Sequence, residues 1–180
     1  MPYEGEFVTK IIDDKWAMLK EPVIFKSWLF GDTFESKRGF ITDWASVPRF
    51  PIIYMLLGGR GKRSATNHDD GYLRQEESKR RVDFRFYEGL LATFVYDAVK
   101  AYVNSDENTQ SHIKNKQLRA FCYFWRIVWR FVIVTLMWCP GVVVFAWPAW
   151  LKYKHRKAKG LPMRPEAPEV DDYRWEDYIF

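Results

Sequence analysis

A histidine, adjacent carboxylates and a tyrosine lie within two helical turns in the segment 67–72. A histidine with one adjacent and one more distant carboxylate is a minimal set of groups for activating water. The imidazole of His68 can take a proton from water, a distant carboxylate can hold its tautomer, and an adjacent carboxylate can bind a hard cation. Asp83 supplies the distant carboxylate and Asp69 the adjacent one. His68 and Asp83 are therefore the candidate catalytic residues, and Asp69 is the candidate calcium ligand.

Two helices must bring these side chains together. Ser64 is a candidate N-cap for a helix through Tyr72, on which His68 and Tyr72 are four residues apart and share a face. A second helix is predicted from about residue 82 to 103, because its apolar residues recur at helical spacing. Asp83 begins this helix, where it either caps the N-terminus or projects inward to a polar partner.

The segment before these helices has a β-like pattern. Residues 7–40 contain short apolar and alternating runs, which predict a small antiparallel sheet. The run 39–49 is rich in Thr, Asp, Ser and Pro and reads as a turn that Asp43 can cap. Three glycines follow in the basic loop 58–63 and can present backbone groups to an ion or phosphate, although the P-loop spacing is missing.

An uncharged apolar run covers residues 131–151, and about 20 residues suffice to cross a membrane as a helix. Tryptophans stand toward both ends and lysines follow, as expected for interfacial anchors. Pro140 and Gly141 interrupt the run, so one kinked crossing and a re-entrant helical hairpin both fit. A buried core helix is the alternative. The sequence thus predicts a membrane-associated segment at 118–159.

The composition limits the remaining possibilities. With 180 residues and a net charge of +5, the chain can form one modest domain, and its basic residues suit an anionic lipid surface. No nucleic acid partner is expected, because no zinc-finger, RNP or helix-turn-helix signature is present. Two cysteines and a polar N-terminus favour a reducing compartment and predict no signal peptide. The acidic, aromatic tail 160–180 either packs on the basic body or binds phage or host proteins.

The residues His68-Asp69-Asp70-Gly71-Tyr72 and Asp83-Phe84-Arg85-Phe86-Tyr87 resemble the H-D-x-G-Y and D-x-x-F-Y motifs of secreted phospholipases A2, particularly the small prokaryotic type. The resemblance covers about twenty residues and does not include the disulfides of those enzymes. The calcium loop of that family is approximated by Gly58, Gly59 and Gly61. The resemblance implies ester hydrolysis with a His–Asp pair and calcium.

Over residues 16–103 the chain also resembles the phage and bacterial family called domain of unknown function 1353. The resemblance lies in G-F-x-T-D-x-A-S-V-P-R, here residues 39–49, followed by H-D-x-x-Y and a downstream Asp. It implies a phage or prophage origin and places the loop beside the His–Asp pair. Asp43 and Ser46, together with Tyr72, are accordingly candidate substrate or supporting residues.

These observations predict an α+β fold with a small antiparallel sheet, two packed helices that carry the His/Asp site, and a C-terminal membrane-associated helix or hairpin. The expected division is 1–117, 118–159 and 160–180. The expected function is a phospholipase A2-like, calcium-assisted lipid ester hydrolase at the host inner membrane or in the virion, with the soluble domain in the cytoplasm. The alternatives are a non-enzymatic phage structural or host-interaction protein, in which the His/Asp cluster is structural, and an amidase or peptidase.

Overall fold

The computed structural model describes residues 3–44, 61–107, 116–138, 142 and 146–163. Within these ranges six short strands precede four helices, which confirms the predicted α+β class. The strands are β1 (Tyr3–Glu4), β2 (Thr9–Ile11), β3 (Ala17–Leu19), β4 (Val23–Lys26), β5 (Thr33–Ser36) and β6 (Ile41–Thr42). The helices are α1 (Lys62–Arg74), α2 (Lys79–Glu107), α3 (Lys116–Met137) and α4 (Trp147–Ala158).

The strands form two antiparallel sheets in the described residues, where the sequence predicted one. Their strand orders are β1-β4-β5 and β2-β3-β6. The chain changes sheet between β3 and β4, where Pro22 has no N–H to donate to a continuing ladder. A shared apolar cluster that includes Leu19 and Phe25 joins the two sheets, so they bury one core.

Glu88 ties the β4–β5 hairpin to α2. Its carboxylate is buried and accepts hydrogen bonds from the Ser27 hydroxyl at 2.7 Å and from the Trp28 amide at 2.5 Å. The Leu29 amide also donates to it, at 3.4 Å. A charged acceptor of this kind compensates turn amides that a strand ladder leaves unpaired. The hairpin turn is thus completed by a residue about sixty positions away.

Helix α1 begins two residues before the predicted N-cap. Gly61 is the N-cap and makes no side-chain capping bond, so the assignment of Ser64 as cap was wrong. The Ser64 hydroxyl instead makes a 2.7 Å hydrogen bond with the Tyr3 hydroxyl. Both hydroxyls lie against Gly89, where a Cβ would come within 2.3 Å of the Tyr3 oxygen. Ser64 therefore lies where β1, α1 and α2 contact one another.

Helix α2 is longer than predicted at both ends. It begins at Lys79, where the Ser78 carbonyl accepts from the amides of Arg81 and Val82, so that Lys79, Arg80 and Arg81 belong to the helix. It ends at Glu107, beyond the predicted end at about residue 103. The predicted apolar stripe of α2 is confirmed, since its members are buried. These residues are Phe86, Leu90 and Phe94.

The apolar run 131–151 is divided between two helices. Its start lies in α3 and its end in α4, and Pro140 and Gly141 fall outside the described residues. Val134 of α3 and Trp150 of α4 are buried in clusters shared with α1 and α2. None of the helices in the described ranges has both the length and the apolar character needed to cross a membrane. We refer to α3, Trp138, Val142 and α4 as the C-terminal helical pair.

Candidate active site

The two helices that carry the site run antiparallel. Gln75 ends α1 in the left-handed conformation, with φ of 52°, and its amide donates to the Gly71 carbonyl. A short turn then leads into α2. Gly71 permits the close approach of the helices, because a Cβ there would lie 2.7 Å from Val82 Cγ1. This packing brings the start of α2 alongside His68.

The predicted contact between His68 and Asp83 is present. His68 Nε2 lies 3.0 Å from Asp83 Oδ1, and both side chains are buried. The Tyr72 hydroxyl donates to the same carboxylate oxygen at 2.7 Å. Of the two placements that the sequence left open for Asp83, capping the helix or projecting inward to a polar partner, the inward one is present. The structure does not test the catalytic role of the pair.

Lys79 completes the environment of Asp83, and the sequence prediction missed it. Its ammonium group donates to Asp83 Oδ2 at 2.5 Å and to the Val142 carbonyl at 3.1 Å. Lys79 and Asp83 are four residues apart on α2, which is a spacing that the sequence could have shown. A buried carboxylate needs such compensation, because loss of one partner leaves an unpaired charge in the core.

The donors around Asp83 determine which ring nitrogen of His68 carries the hydrogen. Lys79 and Tyr72 both donate to Asp83, which marks it as an ionised acceptor. His68 Nε2 then carries the hydrogen that points to Asp83 Oδ1, and in the neutral form of the ring Nδ1 carries the lone pair. Burial, followed by the charge of Asp83, raises the pKa of Tyr72, so its hydroxyl stays protonated and remains a donor.

The imidazole is held between aromatic rings and beside a small cavity. Its ring centroid lies 4.2 Å from that of Tyr72 and 4.6 Å from that of Phe86. A cavity of about 10 Å³ adjoins His68, Asn67 and Arg85, which is room for about one water molecule. Only 2% of the His68 surface is exposed. Access of a larger molecule to the ring therefore requires movement of the groups that cover it.

The two carboxylates that follow His68 in the sequence, Asp69 and Asp70, have partners other than His68 and Asp83. Asp69 Oδ2 accepts from the Thr42 hydroxyl at 2.6 Å. Asp70 forms a bidentate pair with Arg74, and burial raises the pKa of Asp70 against the opposing effect of this arginine. In the parts of the chain that the structure describes, no three His, Cys, Asp or Glu side chains gather as a metal site. The described donors alone do not fit calcium, and Gly58 and Gly59 lie outside these parts, so the calcium prediction is untested.

Thr42 and Trp44 contact α1, whereas residues 45–49 of the predicted loop lie outside the described residues. The position of the loop beside the His–Asp pair stays a prediction. Thr42 reaches Asp69, and the Trp44 indole donates to the Thr66 hydroxyl at 3.2 Å. Asp43 lies between Thr42 and Trp44 and is half-buried. Ser46 lies outside the described residues. The supporting roles assigned to Asp43, Ser46 and Tyr72 stay predictions.

The C-terminal helical pair contacts the site directly, which the sequence prediction also missed. Trp138 Nε1 donates to the Asp83 carbonyl at 2.7 Å, and the Trp150 ring meets the Tyr72 ring edge-on at 4.9 Å. Trp138 and Trp150 lie 55 and 78 residues from their partners, so no local sequence pattern indicates these contacts. The tryptophans that the sequence assigned to membrane anchoring thus include one that packs in the domain core.

The fold and the site together define an α+β domain in which a buried His–Asp pair joins two antiparallel helices. Residues 17–103 match the family model described as protein of unknown function (DUF1353), and this part of the chain belongs to that family. The matched segment contains His68, Asp83, Tyr72 and Lys79, whereas α3 and α4 lie beyond it. No curated protein and no solved structure matches the chain.

Proposed function

We propose that this chain hydrolyses lipid esters, with His68 as the base and Asp83 as its orienting partner. The observation that carries the proposal is the buried 3.0 Å contact between His68 Nε2 and Asp83 Oδ1. A neutral imidazole held in one tautomer by a carboxylate is the arrangement that a general base requires. The spacing of His68, Tyr72 and Asp83 on two helices also resembles that of the phospholipases A2.

The proposed reaction needs one base and one water molecule. His68 Nδ1 takes a proton from water as the oxygen attacks the ester carbonyl carbon. Asp83 stabilises the resulting imidazolium through Nε2–H. The carbon–oxygen bond to the alcohol then breaks, and the proton on His68 returns to the leaving alkoxide. The products are a fatty acid and an alcohol. Lys79 and Tyr72 keep the Asp83 carboxylate oriented throughout.

A second candidate is a non-enzymatic role, and the burial of the site favours it. Asp83 is bound by His68, Tyr72 and Lys79, and such a satisfied polar network can hold two helices in a fixed register. In this case the chain is a phage structural or host-interaction protein. The same groups would also suit an amidase or peptidase, because water attack on an amide uses the same base.

The proposed location is the host inner membrane or the virion, with the domain on the cytoplasmic side. The motif resemblance to a phage and bacterial family supports the phage origin. Exposed apolar side chains on α3 and lysines on α4 support contact with a lipid surface. Calcium remains part of the proposal through Asp69 and the loop 58–61, and no step above depends on it. The tail 160–180 is the proposed segment for phage or host partners.

The test is release of fatty acid from phosphatidylglycerol vesicles by the purified chain, with calcium and with chelator, and with an acyl amide as a parallel substrate. His68→Ala should lower the rate by roughly 10²- to 10⁴-fold, the usual contribution of a general base. Asp83→Asn should act in the same direction. His155→Ala, at an exposed position on α4, is the matched control and should retain the wild-type rate.

Asp83→Asn also leaves the Lys79 ammonium without its buried partner, which would destabilise the fold. The double variant Lys79→Met/Asp83→Asn removes both charges and separates catalysis from folding. A folded double variant without activity supports the hydrolase. The proposal fails if the wild-type chain releases no fatty acid under any condition, and unfolding of the His68 variant would then favour the structural role.

A further inference from the structure

The C-terminal helical pair makes two hydrogen bonds at the centre of the site, one with the main chain of Asp83 and one with Lys79. Trp138 Nε1 donates to the main-chain carbonyl of Asp83, and Lys79 Nζ bridges Asp83 Oδ2 and the Val142 carbonyl. The main chain at Asp83 and the Lys79 ammonium that neutralises its carboxylate are thus each joined to this segment. Residues 138 and 142 lie beyond the family match, so the contacts are made by a part of the chain outside the matched domain.

Helix α4 closes the site from the side of Tyr72. Trp150 is buried against the Tyr72 ring, and Lys157 Nζ donates to the Arg74 carbonyl at 2.5 Å, at the end of α1. His68 is 2% exposed, and the Tyr72 ring that Trp150 covers also packs on the His68 ring. The C-terminal helical pair therefore covers the Tyr72 and Asp83 side of the dyad.

The exposed residues of this pair are largely apolar on α3 and basic on α4. Large side chains on α3 are between 48% and 66% exposed, and their spacing places several on one helix face. They are Leu118, Phe121, Phe124, Trp125, Trp129, Phe131 and Leu136. Four lysines are exposed on α4 or just after it, and they are Lys152, Lys154, Lys157 and Lys159. Exposed aromatic groups and lysines both complement an anionic lipid surface, which takes the rings at the headgroup level and attracts the ammonium groups.

We propose that the C-terminal helical pair is a cover over the His68–Asp83 site and that an anionic lipid surface draws it away. This proposal rests on the proposed function, because the cover would control access of the lipid ester to the His68–Asp83 site. A lipid surface can shift this equilibrium only if it binds the open state more tightly. The open state meets this condition, because Val134 and Trp150, buried in the closed state, become available to the lipid.

The test measures exposure of His68 without using turnover. Diethyl pyrocarbonate acylates accessible imidazoles, and the three histidines can be separated by mass spectrometry of peptides. In buffer, His68 should be protected and the exposed His155 should react. Vesicles of ether-linked phosphatidylglycerol, which contain no acyl ester, should raise the labelling of His68 by tenfold or more. Ether-linked phosphatidylcholine vesicles should leave it protected.

Two sets of variants separate the inner and outer contacts of the cover. Trp138→Phe removes the donor to the Asp83 carbonyl and should raise His68 labelling in buffer about fivefold, as expected for one net hydrogen bond. Trp28→Phe, the same change at a site that is 69% exposed on the hairpin turn, should have no effect. Phe124→Ser/Trp129→Ser should abolish the response to vesicles, whereas Trp28→Ser/Leu29→Ser should preserve it.

The outcomes distinguish the cover from the hydrolase. Labelling of His68 that rises on anionic vesicles while circular dichroism stays constant supports the cover, even if no ester is cleaved and the proposed function fails. Labelling that does not change overturns the cover, even if fatty acid is released. The cover is also overturned if labelling rises only with loss of helical signal, or if the hairpin variants remove the response.

Discussion

The buried carboxylate of Asp83 requires polar and charged partners within the core of this protein. Its charge is compensated by Lys79 while His68 and Tyr72 use its other oxygen. The sequence predicted the contact with His68, because motif spacing on two helices fixes it. The sequence prediction did not include the bridge from Lys79 to Val142, since the two residues lie 63 positions apart and no pattern relates them.

Asp32 offers a test of charge at the residue scale. It accepts from Arg81 at 2.6 Å and from the buried Arg85 at 2.8 Å. Burial raises the pKa of Asp32, but the hydrogen bonds and charges of the two arginines outweigh burial and lower it below the ordinary 3.8. We expect Asp32→Asn to reduce the free energy of unfolding at pH 7 by about 1 to 2 kcal/mol, measured by urea denaturation.

The pH dependence of this loss follows from the sign of the shift. A carboxyl whose pKa is lower in the folded state stabilises the fold above its unfolded pKa, and this contribution is lost as pH falls below about 3.8. The gap between wild type and Asp32→Asn should therefore close in acid. Asp14→Asn, in an exposed turn, is the control. A gap that is constant down to pH 2 contradicts the assignment.

At the scale of the elements, the turn between α1 and α2 determines whether the site forms. The sequence predicted both helices and their order, the first from the candidate cap Ser64 and the second from its regular apolar spacing. It misplaced both starts. Ser64 was predicted as the cap of α1, but its hydroxyl is hydrogen-bonded to Tyr3, and the charged residues after Ser78 belong to α2. Both errors come from tertiary contacts that override local preferences. The close approach of the helices at Gly71 is likewise a tertiary property.

Gly71→Ala tests that approach. The new Cβ would lie 2.7 Å from Val82 Cγ1 and 3.1 Å from Cγ2, so the helices must move apart. We expect a loss of about 1 to 3 kcal/mol from overpacking, reduced by roughly 1 kcal/mol because alanine favours the helix. Thermal or urea unfolding measures the difference.

A double-mutant cycle supplies the control for Gly71→Ala. Val82→Ala removes both clashing methyl groups, so Gly71→Ala should reduce the free energy of unfolding less in the Val82→Ala background than in wild type. The difference should be roughly 0.5 to 3 kcal/mol, the range found for residues in contact. Additive effects of the two substitutions would show that the helices do not meet at this point.

At the scale of the whole molecule, the long-range arrangement was the least predictable from sequence. Strand-like patterns predicted a sheet but could not show that Leu19 and Phe25 join two sheets in one core. The apolar run 131–151 suggested a membrane segment, because hydropathy does not reveal which residues face the domain. Val134 and Trp150 bury themselves against α1 and α2, and the outer residues of α3 remain exposed.

If the lysines on and just after α4 bind anionic lipid, then vesicle binding should weaken when they are replaced and when salt is added. Replacing Lys152, Lys154 and Lys159 with Gln should weaken binding to anionic vesicles by roughly a hundredfold, since each lysine near a membrane surface contributes about 1 kcal/mol. Added salt should weaken wild-type binding, because the Debye length falls from about 10 Å at 0.1 M to about 3 Å at 1 M. Vesicle sedimentation measures both effects.

The vesicle experiment needs a control that separates the effect of net charge from the effect of where the lysines lie. A matched variant with Gln at Lys10, Lys15 and Lys37 removes the same net charge from exposed positions among the strands. It should bind nearly as tightly as wild type. Equal weakening by the two triple variants would mean that net charge, and not the surface of α4, drives binding.

The carboxylate of Glu88 gives the β4–β5 hairpin an unusual dependence on the rest of the fold. The Trp28 and Leu29 amides donate to a side chain of α2, not to a neighbouring strand. Their protection from hydrogen exchange therefore requires that α2 is docked, even though the strands they connect can pair locally. These two amides report separation of the sheet layer from the helical layer, whereas amides within the β4–β5 ladder report opening of the hairpin itself.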